Sequence, residues 1–226
     1  MTLESTISSI KILHRKEDKA VINEVFYENS YKVDQIREEA LVIDIGAHIG
    51  TFSLRCAKEK GCAVYAYEPY LPSFSILLKN ISENHLENRI KAFNLAVAGC
   101  RKSRIFYSIP HSLASNTLYK PLNVATDELE VNCVTLRDVF LNNDLTGCDV
   151  LKIDCEGAEK EIFCDEFKTC IGQASLILLE WHNYDGAYYA EYLKKMGYLV
   201  SMTGCGCPAP PYDPTFARGM LYARRY

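Results

Sequence analysis

The chain has 226 residues, 48% of them hydrophobic, and a formal net charge of −4. That length supports one well-buried core and is short for two. The slight acidic excess argues against an extended nucleic-acid or anionic-membrane surface, which would reward clustered Lys and Arg, although a small local basic patch is still allowed. No charged N-terminal stretch leads into an apolar segment, and no apolar run approaches the roughly 18 residues that span a bilayer, so the expectation is a soluble cytoplasmic protein without a membrane span.

Residues 1–40 carry many charges and short β-type runs such as "AVINEVFYEN", which suggests an N-terminal extension packed on a domain of residues 41–226. "ALVIDIGAHIG" is an apolar strand ending in Asp44 and glycines, and "TFSLRCAKEKG" follows as a helix stopped by Gly61. "CAVYAYEP" is the next strand. Pro72 then suits a first helical turn, and Phe74, Leu77, Leu78 and Ile81 at i, i+3, i+4 and i+7 give one apolar helix face. "IKAFNLAV" is a third strand. Such β-α-β-α-β alternation, with strands apolar on both faces, predicts a mostly parallel sheet covered by helices on both sides.

"SRIFYSI" and "VNCVTL" look extended, with residues 110–128 between them a loop insertion at the rim of a site. "CDVLKID" is strand four, followed by a helix from about Glu156 to Phe167, and "ASLILLE" is strand five, followed by a helix in "AYYAEYLKKMG". "YLVSMTG" and "ARGMLYARR" are two strands joined through a Pro-rich loop without a helix, hence antiparallel at the sheet edge. The fold class expected is an α/β Rossmann-like three-layer sandwich with a seven-stranded sheet and an antiparallel C-terminal strand.

Ten cysteines stand at 56, 62, 100, 133, 148, 155, 164, 170, 205 and 207, several in apolar runs, and free thiols are the better reading than disulfides. Cys205-Gly-Cys207 is the nearest approach to a metal pair and lacks a partner pair at finger-like spacing.

In open parallel sheets ligands sit beyond the carboxyl ends of the strands, and the first strand-to-helix turn carries much of the recognition. Here that turn runs Asp44-Ile45-Gly46-Ala47-His48-Ile49-Gly50 into Thr51, and Glu68-Pro69 ends the second strand, 18 residues after Gly50. A dinucleotide fold wants G-x-G-x-x-G against a pyrophosphate. D-x-G-x-x-x-G instead puts a carboxylate where a phosphate would be repelled, while a sulfonium and an amino group would be welcome. The pattern looks like motif I of S-adenosylmethionine (SAM)-dependent methyltransferases.

"VIDIGAHIGTFSL", "YAYEPYLPSFSILLKN", "NLAVAG", "VNCVTLRDVF" and "VLKIDCEGAE" together resemble the FkbM family of methyltransferases over about residues 20–180. The resemblance implies SAM as cofactor and O-methylation of a hydroxyl on a sugar, natural product or other small metabolite. By position it assigns Asp44, Gly46, Gly50 and Glu68 to the cofactor, with Ala47, His48, Thr51 and Pro69 beside them, and Asn94-Leu95-Ala96 to the stretch that passes the adenine. His48 stands where the family often has Asn.

Methyl transfer to oxygen requires alignment of the acceptor and a place for its proton. The strand ends offer Asp154, Glu156, Glu180 and His182. Three accounts of the acids compete. In the first, Asp154 serves only as a helix cap, with Glu156 and Glu159 favouring the helix N-terminus. Alternatively Asp154 faces the cofactor's amino group or the acceptor hydroxyl, with Glu156 ordering the site. In the third, Asp154, Glu156, Glu180 and His182 hold a divalent cation, a possible but not favoured option for which the spacing is not diagnostic, so no metal ligands are assigned. His111, Ser115 and Asn116 could touch the acceptor, and Cys155 is expected to pack in the core. Pro210-Pro211-Tyr212 resembles part of an amine-methyltransferase motif but lies after strand six, not strand four. The other readings are a silent SAM-binding domain and, less favoured, an NAD-type oxidoreductase. Acceptor identity and oligomeric state are not legible.

Overall fold

The computed structural model describes residues 2–110, 112–182, 186–204 and 218–225. His111, the Asn183–Asp185 stretch, Cys205, Cys207 and the Pro210-Pro211-Tyr212 stretch lie outside them. In chain order the strands and helices are β1 (Leu3–Ile7), β2 (Ile10–His14), α1 (Lys19–Phe26), β3 (Leu41–Ile45), α2 (Thr51–Lys60), β4 (Ala63–Tyr67), α3 (Leu71–Glu83), β5 (Ile90–Phe93), β6 (Ala96–Val97) and β7 (Ser103–Ser108). They continue as β8 (Asp127–Val134), α4 (Leu136–Asn142), β9 (Cys148–Ile153), α5 (Glu159–Ile162), α6 (Lys168–Gly172), β10 (Ala174–His182), α7 (Gly186–Lys195), β11 (Leu199–Gly204) and β12 (Arg218–Arg224).

Seven strands form the central sheet in the order β11-β12-β10-β9-β3-β4-β5. β3, β4, β5, β9 and β10 pair in parallel, whereas β12 enters between β10 and β11 and runs antiparallel to both. The expected terminal strand pair is present, with the last strand one place inside the edge. Adjacent strand residues feed opposite cores, as period-two alternation requires. Val42, Val64 and Val150 join the core under β2, α1, α2 and α3, and Ile43, Leu151 and Ile177 join the core under α4, α6 and α7. The result is a three-layer α/β sandwich.

Four local readings of the sequence need correction. "AVINEVFYEN" is not extended: Ile22 and Val25, three apart, bury one face of α1 against α2. The buried stripe of α3 is Ile76, Leu77, Asn80 and Ile81, with Leu78 exposed. It is turned because Asn80 bridges elements: its Oδ1 accepts from Leu13 N and its Nδ2 donates to the carbonyls of Leu13 and Ile49. The third strand breaks after Phe93, and β6 leaves to pair with β8 in a separate three-stranded sheet, order β6-β8-β7. Finally, no helix begins at Glu156. Glu156 (φ +52°) and Gly157 (φ +104°) are left-handed, which a right-handed helix forbids, so α5 starts only at Glu159 and a 3-10 turn separates it from α6.

Candidate active site

The turn after β3 sets the geometry. Gly46 has φ +79°, and a Cβ there would lie 1.7 Å from the carbonyl oxygen of Asp154, so backbone meets backbone where β3 and β9 end side by side. Gly50, at φ +89°, starts α2. Between them His48 is also left-handed. Its amide donates to Glu68 Oε2 at 2.9 Å, and its ring Nε2 lies 2.9 Å from Asp18 Oδ1. Glu68 Oε1 accepts from Tyr70 N at 2.8 Å, and burial holds the Glu68 carboxyl above its usual range. Asn94 Nδ2 donates to the carbonyls of Glu68 and Pro69, tying the ends of β4 and β5 together.

Below the turn lies a buried charge network. Lys152 Nζ donates to Gly46 O at 2.7 Å and stands 3.1 Å from Asp44 Oδ1 and 3.5 Å from Asp154 Oδ2. Burial works against the Lys152 charge, but Asp44 and Asp154 outweigh it and raise its pKa. Ser53 Oγ donates to the other Asp44 oxygen at 2.6 Å. Tyr31 reaches in from the N-terminal segment, its hydroxyl 2.8 Å from Asp154 Oδ2 and 3.0 Å from Glu180 Oε2. Burial alone would raise the Asp154 pKa; Lys152, His182 and the Tyr31 hydroxyl reverse this and lower it.

His182 is buried at the end of β10, with Nδ1 3.0 Å from Glu159 Oε1 and Nε2 3.3 Å from Glu156 Oε2. Glu156 and Glu159 more than offset the burial of the ring and hold its pKa well above the ordinary value. Burial, with Asp154 and Glu180 opposing the His182 charge, pushes Glu156 up to about 8. Glu180 is raised by burial and by Asp154, and Arg218 Nη1 stands 3.3 Å from its Oε1.

These elements enclose a cleft of about 910 Å³, its open mouth included. Gly46, Ala47, His48, Thr51, Glu68 and Pro69 form one side, and Leu95, Ala96 and Val97 give an apolar patch. Asp154, Glu156, Glu180 and Arg218 line the other end. Residues 1–40 supply a wall through Val21, Glu24, Val25 and Tyr31, and the loop between β7 and β8 supplies Ala114, Asn116 and Leu118. Asn116 Oδ1 accepts from Ile109 N, while its buried Nδ2 has no hydrogen-bond partner among the described residues. A free buried donor and a carboxylate with a spare lone pair on each oxygen suit a nucleoside with an amino-acid tail.

Residues 44–200 match the methyltransferase FkbM domain. The chain belongs to the FkbM methyltransferase family. Among curated relatives, methyltransferase sdnD of Sordaria araneosa is 24% identical over 189 residues, 71% of this chain and 73% of that protein. A tRNA (guanine(37)-N(1))-methyltransferase of Dictyostelium discoideum is 31% identical over 116 residues, covering 51% of this chain but only 24% of the relative's length. The solved structure of M. jannaschii TYW2 in complex with AdoMet superposes with a TM-score of 0.52 at 16% identity, covering all of this chain and 87% of the other. That similarity shows a shared Rossmann-like fold.

Within this FkbM fold, the strand ends gather most of the residues expected from sequence around one cleft. Five stand differently, among them Ser115, whose Oγ pairs with Ser112 Oγ at 2.9 Å and does not line the cleft. Asp44 and Gly50 do not line the cleft: Asp44 is wholly buried beneath the turn and bound to Lys152 and Ser53. Asn94 acts through backbone carbonyls, and His182 sits behind the carboxylates and does not line the cleft. Asp154 caps no helix, since the amides of Cys155 and Gly157 donate to Glu159. Cys155 lines the cleft and also packs against both neighbouring cores, its thiol pKa raised by burial. The sequence reading missed Lys152, Tyr31 and Asp18. Only Lys152 left a signal, a lone cation inside the apolar strand "VLKID".

Proposed function

We propose that this FkbM-family chain transfers a methyl group from SAM to a hydroxyl of a small molecule, such as a sugar or natural product. Bound SAM supplies an electrophilic methyl group on a sulfonium. The chain's own residues hold and orient. With SAM bound beside the Gly46 turn, Glu68 would accept from the ribose hydroxyls, and Leu95 and Ala96 would flank the adenine. Asp154, held ionised by Lys152, receives the cofactor's amino group. Glu156, at the acceptor end, positions a hydroxyl and takes its proton.

The observation that carries the choice of acceptor is the acid wall. Glu24, Asp154, Glu156 and Glu180 line the acceptor end of the cleft, with Lys152 and Arg218 the cations among them. Carboxyl groups of this kind accept from a neutral hydroxyl and, where protonated, donate to it, and a net charge of −4 gives little of the basic surface that an RNA rewards, which favours a small acceptor over the RNA named for the Dictyostelium relative. The test is incubation with methyl-labelled ¹³C-SAM, with a panel of hydroxylated small molecules and total tRNA in parallel. A product signal at the chemical shift of an O-methyl carbon in a small-molecule arm is expected. Label found in tRNA, or on nitrogen, would overturn the proposal.

A further inference from the structure

One donor atom from each of Asp154, Glu180 and His182 lies within 4.8 Å of the others. Acid clusters form without any ion, so the arrangement of His182 is what matters. The ring is buried to 5% exposure, and its Nδ1 is held by Glu159 Oε1 at 3.0 Å. Glu159 is itself fixed by the amides of Cys155 and Gly157, 3.1 and 2.9 Å away. Nε2, on the opposite side of the ring, faces Glu156 Oε2 at 3.3 Å and Glu180 Oε1 at 3.9 Å, yet has no hydrogen-bond partner among the described residues.

A carboxylate that clamps one imidazole nitrogen and aims the other at a group of carboxylate oxygens is the outer-shell geometry of a metal-binding histidine. The left-handed backbone at Glu156 and Gly157 turns the chain back so that Glu159 can reach the ring. Charge points the same way. Asp44, Asp154, Glu156, Glu159 and Glu180 are five carboxyl groups against two permanent cations, Lys152 and Arg218. Donors about 2.1 Å from an ion lie at most about 4.2 Å apart, so the cluster needs to close by a few tenths of an ångström.

We propose that Asp154, Glu180 and His182 bind a divalent cation of Mn²⁺ type, the one imidazole and two carboxylates favouring it over Ca²⁺. The ion's remaining positions face the acceptor end of the cleft, where they would hold an acceptor oxygen. That role rests on the hydroxyl-methylation reading, whereas ion binding does not.

The experiment is titration of the full chain with Mn²⁺ alone, without cofactor or acceptor, followed by electron paramagnetic resonance. One saturable site is expected, with coupling to a single imidazole nitrogen in the pulsed spectrum. Glu180→Gln and His182→Gln should each weaken binding by about tenfold or more while circular dichroism stays native. No saturable binding up to about 1 mM, bound Mn²⁺ without nitrogen coupling, or native affinity in both folded variants would overturn the proposal. The native-chain spectrum decides the question even if the variants fail to fold, and it is independent of any methyl acceptor.

Discussion

Lys152 shows how one side chain can couple the two halves of the site. It stands under the glycine turn through Gly46 O and between Asp44 and Asp154. Removing one partner from a buried ion network leaves an uncompensated charge, which costs far more than the network contributes in net stability. Lys152→Met should therefore destabilise the chain by about 3–5 kcal/mol, measured by urea unfolding. A loss below about 1 kcal/mol would mean that Asp44 and Asp154 are adequately served without it. Sequence reading found the carboxylates and overlooked this lysine, because a cation inside an apolar strand identifies itself only when its partners on β3 are in view. The motif singles out Asp44, but its buried environment was not legible: the same motif suits a carboxylate facing a ligand and one facing a lysine.

At the scale of elements, the N-terminal segment is more than a flap. Asp18 is bonded by Arg15 and faces His48, Tyr31 bridges β9 and β10, and α1 places Glu24 at the cleft. Burial, followed by the charges of Glu180 and Asp154, raises Glu24 from its ordinary 4.5 to about 8. A carboxyl whose pKa is higher in the folded state binds its proton more tightly there. Its contribution to stability is complete below the unfolded value and is lost as pH rises through the folded one. Between pH 4.5 and about 8, then, Glu24 makes the cofactor-free chain less stable with rising pH. Glu24→Gln should flatten that part of the profile and melt above the native chain at the alkaline end, as followed by thermal unfolding across pH. Superimposable profiles would show that Glu24 is effectively solvated. The parallel strands and their glycine-stopped helix were legible because period and capping are local. The identity of α1 was not, since Ile22 and Val25 suit either a strand or a helix until α2 packs against them. The late start of α5 was hidden by a similar ambiguity: only the left-handed pair at Glu156 and Gly157 rules out an earlier one.

For the whole molecule, sheet order places the ends of β3, β4, β9 and β10 around one opening, and the N-terminal segment and the β7–β8 loop close it from the sides. No helix of the described residues is long and apolar enough to cross a membrane. The alternation of strands and helices along the chain and the helix-free terminal strand pair sufficed to anticipate the central sheet, though not the separate sheet of β6, β8 and β7. What the order could not convey was which strand-end acids share a cavity and which lie beneath it, because that depends on side-chain direction and on contacts made by residues 1–40. Whether the cleft built on Gly46, Glu68 and Asp154 seats the cofactor is tested most directly by isothermal titration of the native chain and of Glu68→Gln with SAM. One site in the native chain is expected, with affinity about tenfold or more weaker in the variant, the loss associated with a charged hydrogen-bond acceptor. Equal affinity in the two proteins, with both folded, would place the cofactor elsewhere.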